Sequence, residues 1–392
     1  MTPFPPSPAL DRIRPAWEIP FRPLADTVMS VMPGESDERF VDPFLDRSIR
    51  WVDDVYCPTG TIFDGKIVCV TRCYGEDEQW RMGLATSDDG LSFSRSSQPV
   101  FHAVPGDPML DIVPLRRGTS VSYGDSRLVS GEDGTHFLYF NFFVHGVDRH
   151  QELAVATTRD FKRWTVHGRI FQRQGARDRD VVPSLAPWRF PHPAVVTRFD
   201  GERLVAAKVA GKYRMFLNIL ATRGPNVLGM AVSDNLLDWA IVNGPDGSPL
   251  DVLPLRPGNF DSAYIDTAAA LLRHDDIVLI GNGINAHPEQ GGDPGRMHAA
   301  HYPLQARFDA HDPSRLIDRG ASPFLGNAPD LEALSPTFWI APLYEAWSVV
   351  PHQGNLLLYW NHAFGRRSVG VWSAPIAHAT GPVPGSAPPT TL

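Results

Sequence analysis

Three acidic residues have surroundings that suit proton transfer. Asp125 lies in Ser122-Tyr123-Gly124-Asp125-Ser126-Arg127-Leu128-Val129, which runs straight into an apolar, β-prone stretch. Strand alternation puts Asp125 and Arg127 on one face. Asp266, in Phe260-Asp261-Ser262-Ala263-Tyr264-Ile265-Asp266-Thr267, takes a matching place. The segments ahead of the two acids are alike, Leu110-Asp111-Ile112-Val113-Pro114-Leu115-Arg116-Arg117-Gly118 and Leu250-Asp251-Val252-Leu253-Pro254-Leu255-Arg256-Pro257-Gly258. Glu345 sits between Tyr344 and Trp347, an aromatic setting that raises a carboxyl pKa or demands a partner. His192, in Arg189-Phe190-Pro191-His192-Pro193, and His362, in Tyr359-Trp360-Asn361-His362, stand near expected strand ends. One carboxyl to give a proton and another to take one is the equipment of general acid–base catalysis. Each residue also has a structural reading: an Asp125–Arg127 ion pair, a rim salt bridge for Glu345, packing or hydrogen bonding for the histidines.

The elements that must position these residues repeat. Phe63-Asp64-Gly65-Lys66, Glu132-Asp133-Gly134-Thr135, Phe199-Asp200-Gly201-Glu202, His274-Asp275-Asp276-Ile277 and His352-Gln353-Gly354-Asn355 each separate two apolar runs, as hairpin tips do. A second signature, a polar turn ending in an aromatic, follows in register: Ser87 to Phe93, Thr158 to Trp164 and Ser233 to Trp239, with a degenerate copy at Asp312 to Ile317. Two hairpins per unit make four strands, and a unit recurs every ~70 residues. The expected fold is all-β, a five-bladed β-propeller with four antiparallel strands per blade. An open solenoid or a β-sandwich pair is the competing arrangement. The expected boundaries are an N-terminal extension packing on the propeller over 1–45, one catalytic propeller over 46–378 and a loose tail over 379–392, rich in proline.

Composition sets the outer limits. The chain has 392 residues, of which 43% are hydrophobic, with 33 Gly and 37 Pro, enough for a large core and many turns. A net charge of −8 with scattered Lys and Arg argues against a nucleic-acid partner. The N-terminal Met1-Thr2-Pro3-Phe4-Pro5-Pro6 has no export pattern and no long apolar run follows, so a cytoplasmic location is expected, with no membrane partner. Cys57, Cys69 and Cys73 are an odd number and fit no zinc spacing, so they read as small apolar fillers and no metal or cofactor is expected. In a propeller the innermost strands aim their ends into one funnel, where carboxylates from distant repeats meet. Such a funnel suits a sugar ring, with carboxylates on opposite faces of one bond.

Six motifs in order resemble the family 130 glycoside hydrolases and phosphorylases, five-bladed propellers acting mainly on β-mannosides. They are Val55-Tyr56-Cys57-Pro58-Thr59-Gly60 with Arg72 and the run Arg81 to Phe93; Gly124-Asp125-Ser126-Arg127; Gly211-Lys212-Tyr213-Arg214-Met215; Phe260-Asp261-Ser262 through Asp266 to Ile280-Gly281-Asn282-Gly283; Tyr344-Glu345-Ala346; and Leu358-Tyr359-Trp360. The likeness spans roughly residues 45 to 376. It implies an inverting enzyme with Asp125 as proton donor and Asp266 or Glu345 as base. It also implies that Arg72 and Arg127 contact the sugar or an anion. Asp54, His192, Lys212, Trp360 and His362 complete the expected sugar-binding set, with an oligosaccharide or glycoside as partner and a homo-oligomer as a further expectation.

Several positions depart from the family pattern. Cys57, Ser126, Ala268-Ala269-Ala270 and Ala363-Phe364 replace family residues, and Leu217-Asn218 stands where phosphorolytic members carry a His-Arg pair that helps hold phosphate. Losing a guanidinium removes a bidentate anion donor, which favours hydrolysis over phosphorolysis. The alternatives are a phosphorylase that uses Lys208, Lys212 and Arg214 for phosphate, and a non-catalytic carbohydrate-binding propeller.

Overall fold

The computed structural model describes residues 14–31, 36–108, 121–144, 150–171, 188–189, 192–221, 226–324, 344–363 and 367–380. The expected Leu110 to Gly118 segment and positions 381–392 of the tail lie outside them. The protein is all-β. Strand β1 (Arg22–Ser30) is followed by a small hairpin, β2 (Arg39–Asp42) and β3 (Arg47–Arg50). Up-and-down meanders follow. The first is β4 (Asp54–Phe63), β5 (Lys66–Tyr74), β6 (Trp80–Ser87) and β7 (Ser94–Arg95). The second is β8 (Val121–Ser130), β9 (His136–Val144), β10 (His150–Thr158) and β11 (Thr165–Arg169).

The third is irregular: β12 (Trp188–Arg189), β13 (Pro193–Asp200), β14 (Arg203–Ala206), β15 (Lys208–Val209), β16 (Lys212–Ala221), β17 (Val227–Ser233) and β18 (Ala240–Ile241). Here β13 pairs β14 over one half and β16 over the other, and β15 pairs the start of β16. The fourth is β19 (Tyr264–Leu272), β20 (Asp276–Ile284), β21 (His301–Asp309) and β22 (Leu316–Arg319). The fifth is β23 (Tyr344–His352), β24 (Asn355–Ala363) and β25 (Arg367–Pro375), and β1 pairs β25 as its outer strand. The N-terminal segment therefore supplies a strand to the last sheet. Its preceding residues are also tied down: the Ile19 backbone exchanges two hydrogen bonds with the Gln305 side chain, each 2.9 Å.

The turn signals fall where local chemistry puts them. Asp64 and Gly65, and Gln353 and Gly354, have positive φ at hairpin tips. In the second signature the γ-oxygen of Ser87, Thr158 or Ser233 accepts from the backbone N–H three residues on, at 2.8 to 3.0 Å. Gly90, Phe161 and Leu236, the residues so held, all have positive φ.

Because the strands are apolar on both faces, each meander packs against the next. One layer joins Val68, Val70 and Met82 to Leu138, Phe140 and Ala154. The next joins Tyr139 and Val155 to Met215 and Leu217; a third joins Phe216 and Met230 to Leu279 and Phe308. A fourth joins Leu271 and Ile280 to Val349, Leu358 and Trp360, and a fifth returns from Val350, Leu357 and Tyr359 to Ile67, Cys69 and Ala85 of the first meander. The first strands β4, β8, β13, β19 and β23 line a narrow cavity of about 50 Å³ with small side chains, among them Thr59, Ser130, Ala194, Ala270 and Ser348. No helix among the described residues is long and apolar enough to cross a membrane.

Candidate active site

Four of the five first strands bulge at one level. The pairing register slips between Tyr56 and Thr59 in β4, between Gly124 and Arg127 in β8, between Thr267 and Ala269 in β19, and between Ala346 and Ser348 in β23. A bulge adds a residue, bends the strand and re-aims side chains. Cys57 and Asp125 sit inside their bulges with φ of 56° and 47°, a left-handed conformation costing about 1–2 kcal/mol per non-glycine residue. At Gly281, opposite the β19 bulge, a Cβ would collide with the Asp266 carbonyl oxygen, so only glycine fits.

Bulges strand backbone groups that a buried strand must satisfy. Asparagines on the second strand of one sheet reach the first strand of the next. The Asn282 side chain accepts from the Ala346 N–H at 2.8 Å and donates to its carbonyl at 3.0 Å. Asn361 accepts from the Cys57 N–H at 2.7 Å and donates to Glu345 Oε2 at 3.0 Å. Asn218 accepts from the His192 N–H at 3.0 Å and donates to Asp266 Oδ1 at 2.7 Å.

These contacts bring the expected acids to one place. Asp125 is paired with Arg72, whose guanidinium lies over the rings of Tyr56 (3.9 Å) and Trp80 (4.5 Å). Burial opposes the Arg72 charge, but the Asp125 carboxylate holds its pKa above the ordinary value. Asp266 is fully buried, and His192 Nδ1 donates to its Oδ1 at 2.6 Å. Burial disfavours a charged His192 ring, yet the Asp266 carboxylate outweighs it and raises the pKa. Burial alone would raise Asp266; the His192 charge and hydrogen bond bring it below the usual carboxylate range. His301, at the start of β21, places Nδ1 3.5 Å from Asp266 Oδ2 and 3.6 Å from Glu345 Oε1. The Tyr264 hydroxyl is pushed well up by burial and then by the charges of Asp266, Glu345 and Asp125.

Arg127 departs from its expected partner. The β8 bulge breaks the alternation that would set it beside Asp125. It donates instead to the Thr267 carbonyl at 2.6 Å and the Ser126 carbonyl at 3.0 Å, with its guanidinium 3.7 Å over the Trp347 ring. Burial lowers its pKa to about 10, against the pull of Glu345. The pairing also revises which acids correspond. Asp266 lies opposite Asn282 and Glu345 opposite Asn361, each just before its bulge, so Asp266 matches Glu345 and not Asp125.

Of the other expected residues, Trp360 and Lys212 fall elsewhere. Asp54 opens β4 opposite Tyr74. Trp360 is a core residue stacked on Trp372 at 4.9 Å, because its parity on β24 turns it toward the fourth meander while Asn361 faces the site. Lys212 starts β16, six residues or about 20 Å along the strand from Asn218. Its ammonium is held by Asp234 at 2.6 Å, outside the cluster. The side chain of His362 lies outside the described residues. All three cysteines are buried and free. His301, Tyr264 and Trp347 were not among the expected site residues. Their signal was weak: only a polar or aromatic residue at a strand end.

The whole chain has solved structural counterparts. A Parabacteroides distasonis protein assigned to the glycoside hydrolases is 28% identical, with a TM-score of 0.76 over 94% of this chain and 99% of that one. A glycosyl hydrolase from Bacteroides ovatus is 26% identical, with a TM-score of 0.76 over 91% and 95%. A third protein is described among glycoside hydrolases of the family 130 mannoside phosphorylases that target β-1,2-mannosidic linkages in Candida mannan. It is 25% identical, with a TM-score of 0.77 over 95% and 99%. The chain resembles family 130 glycoside hydrolases and phosphorylases. That likeness extends to the propeller-like, all-β architecture of family 130, and it supports an enzyme of the hydrolase–phosphorylase type. No family model matches the chain, and no curated protein does.

Proposed function

We propose that the protein is an inverting glycoside hydrolase of the family 130 type, acting on a β-mannoside or related oligosaccharide. The five meanders would be the blades of one propeller, the fifth completed by β1. Support for that arrangement comes from the five apolar layers, which lead from each meander to the next and back to the first.

The observation that carries the reaction is the convergence of Asp125, Asp266 and Glu345 at one level of three first strands. Asp125 is the general acid. Ion-paired with Arg72 in the free enzyme, its carboxylate must leave that partner and take up a proton before it can deliver one to the sugar oxygen. Glu345 is the base that takes a proton from water. It keeps one carboxylate oxygen clear of Asn361 and is 8% exposed, whereas Asp266 is sealed and committed to His192. An inverting pair works across about 6.5–9.5 Å, with water between base and sugar. Arg72 and Tyr264 would shape the sugar subsite.

Hydrolysis is favoured over phosphorolysis by Asn218. Where phosphorolytic members place a cation, this neutral side chain ties His192 to Asp266, and Leu217 is buried in the core. The test is release of reducing sugar from β-mannosides, other disaccharides and aryl glycosides, with and without phosphate. The expected result is phosphate-independent turnover, lowered about 10²–10⁴-fold in Asp125→Asn with an unchanged fold. Near-normal activity of that variant overturns the acid assignment, and turnover only with phosphate makes the enzyme a phosphorylase.

A further inference from the structure

We propose that Asp266, Glu345 and His301 form a binding site for a divalent transition-metal cation such as Zn²⁺. Each carboxylate has one oxygen already engaged. Asp266 Oδ1 accepts from Asn218 at 2.7 Å and from His192 at 2.6 Å; Glu345 Oε2 accepts from Asn361 at 3.0 Å. The other two oxygens, Asp266 Oδ2 and Glu345 Oε1, are turned to the same nitrogen, His301 Nδ1. Asp266 Oδ2 and His301 Nδ1 are both buried and make no hydrogen bond, although Asp266 is wholly shielded from solvent. Buried polar atoms normally have a partner.

The two separations from His301 Nδ1 are compatible with a shared cation. At 3.5 and 3.6 Å the imidazole is too far from either oxygen for a good hydrogen bond. Ligand atoms held tetrahedrally about 2.0–2.2 Å from one cation are about 3.3–3.6 Å apart. One imidazole and two carboxylates form a nitrogen–oxygen donor set that suits Zn²⁺ and its first-row neighbours. His192 supports the site: the ligand atoms of His192, Asp266 and Glu345 lie within 4.8 Å of one another, and its bond to Asp266 Oδ1 orients that carboxylate. Side-chain exposures of 12% for His301 and 8% for Glu345 leave a way in. A fourth coordination position remains for water.

This site does not rest on the glycosidase reading, because binding can be measured without sugar. The full chain, stripped with chelator and desalted, is titrated with Zn²⁺ by calorimetry and with Co²⁺ by visible absorption. The expected result is one cation per chain with protein-ligand Co²⁺ bands, and about tenfold or more weaker binding in His301→Ala and in Glu345→Gln. His287 and His298, exposed with rings 5.1 Å apart, are the control, and their double replacement by alanine should leave binding intact. Circular dichroism checks the fold of each variant, and Glu345→Gln, which keeps size and shape, carries the test if His301→Ala fails to fold. Absence of stoichiometric binding to the wild type overturns the proposal. So does His301→Ala binding as the wild type does. Where Glu345 is the base, loading withdraws Oε1 from water and lowers sugar cleavage, whereas a chain inactive on every sugar still yields the binding result.

Discussion

The two ends of the first strands differ in what they carry. At the bulged end Asp125, Arg127, Asp266 and Glu345 hold charges in a buried setting, each matched by a residue from another strand. Farther along, Thr59, Thr61, Ser130 and Ala270 line the cavity, and their polar contacts are neutral: Thr59 Oγ1 accepts from the Leu128 N–H at 2.6 Å, and Thr61 meets Ser130 at 3.0 Å. The regular end builds a scaffold with small residues and neutral hydrogen bonds. The bulged end bends away from regular pairing and so can turn acids toward a shared point. Backbone strain at Cys57 and Asp125 falls only at the second kind of place.

Replacing residues at each end should break this contrast in different ways. The largest effect expected is on rate. Glu345→Gln keeps its size and its contact with Asn361 but cannot take a proton, so turnover should fall about 10²–10⁴-fold with little change in melting temperature. Normal turnover would remove Glu345 from the chemistry and leave Asp266 as base. Next, Arg127→Met strips the Thr267 and Ser126 carbonyls of donors and the Trp347 face of its cation, and chemical denaturation should report a loss of about 2–4 kcal/mol. A loss confined to activity would make Arg127 a substrate ligand and not a brace.

At the regular end, Thr59→Val leaves the Leu128 N–H without an acceptor and should cost about 1–3 kcal/mol of stability. Turnover per folded molecule should not change. If it falls, the two ends are coupled more tightly than their contacts suggest.

The smallest effect is a pH dependence. His192 has a raised pKa in the folded protein, so its pairing stabilises fully below its unfolded value of about 6.5, and that contribution is lost as pH rises through the folded value. Asp266 has a lowered pKa, so its contribution is present above about 3.9 and is lost as pH falls through the folded value. The pair is therefore strongest between those limits. His192→Gln should flatten the decline of stability above pH 6.5; a wild type with no decline there would mean the ring is neutral throughout.

Much of the framework was legible because it is local. Four of the five turn signals join the first and second strand of a meander and the one at Phe199 joins β13 to β14, while the Ser87, Thr158 and Ser233 turns precede the last short strand of theirs. Their geometry depends on positive φ and on side chains bonding to backbone within three residues, which short motifs encode. Asp125, Asp266 and Glu345 could be picked out as acids in apolar strands. Their partners could not. Arg127 was assigned to Asp125 by strand alternation, which holds only until a bulge shifts it. Trp360 was counted in the sugar-binding set, but its parity sends it into the core. Asn218, Asn282 and Asn361 recur in register, yet a polar residue in a strand does not announce that it serves the neighbouring sheet.

The sequence by itself determined an all-β chain of repeated hairpins and the acids that stand in its strands, because these follow from periodicity and turn chemistry within a few residues. Only the tertiary structure decided that Arg72 meets Asp125, that His301 faces both Asp266 and Glu345, and that β1 belongs to the last sheet. Those contacts join residues dozens to hundreds of positions apart. They depend on how bulged strands from separate sheets turn toward one another, a geometry that no single segment specifies.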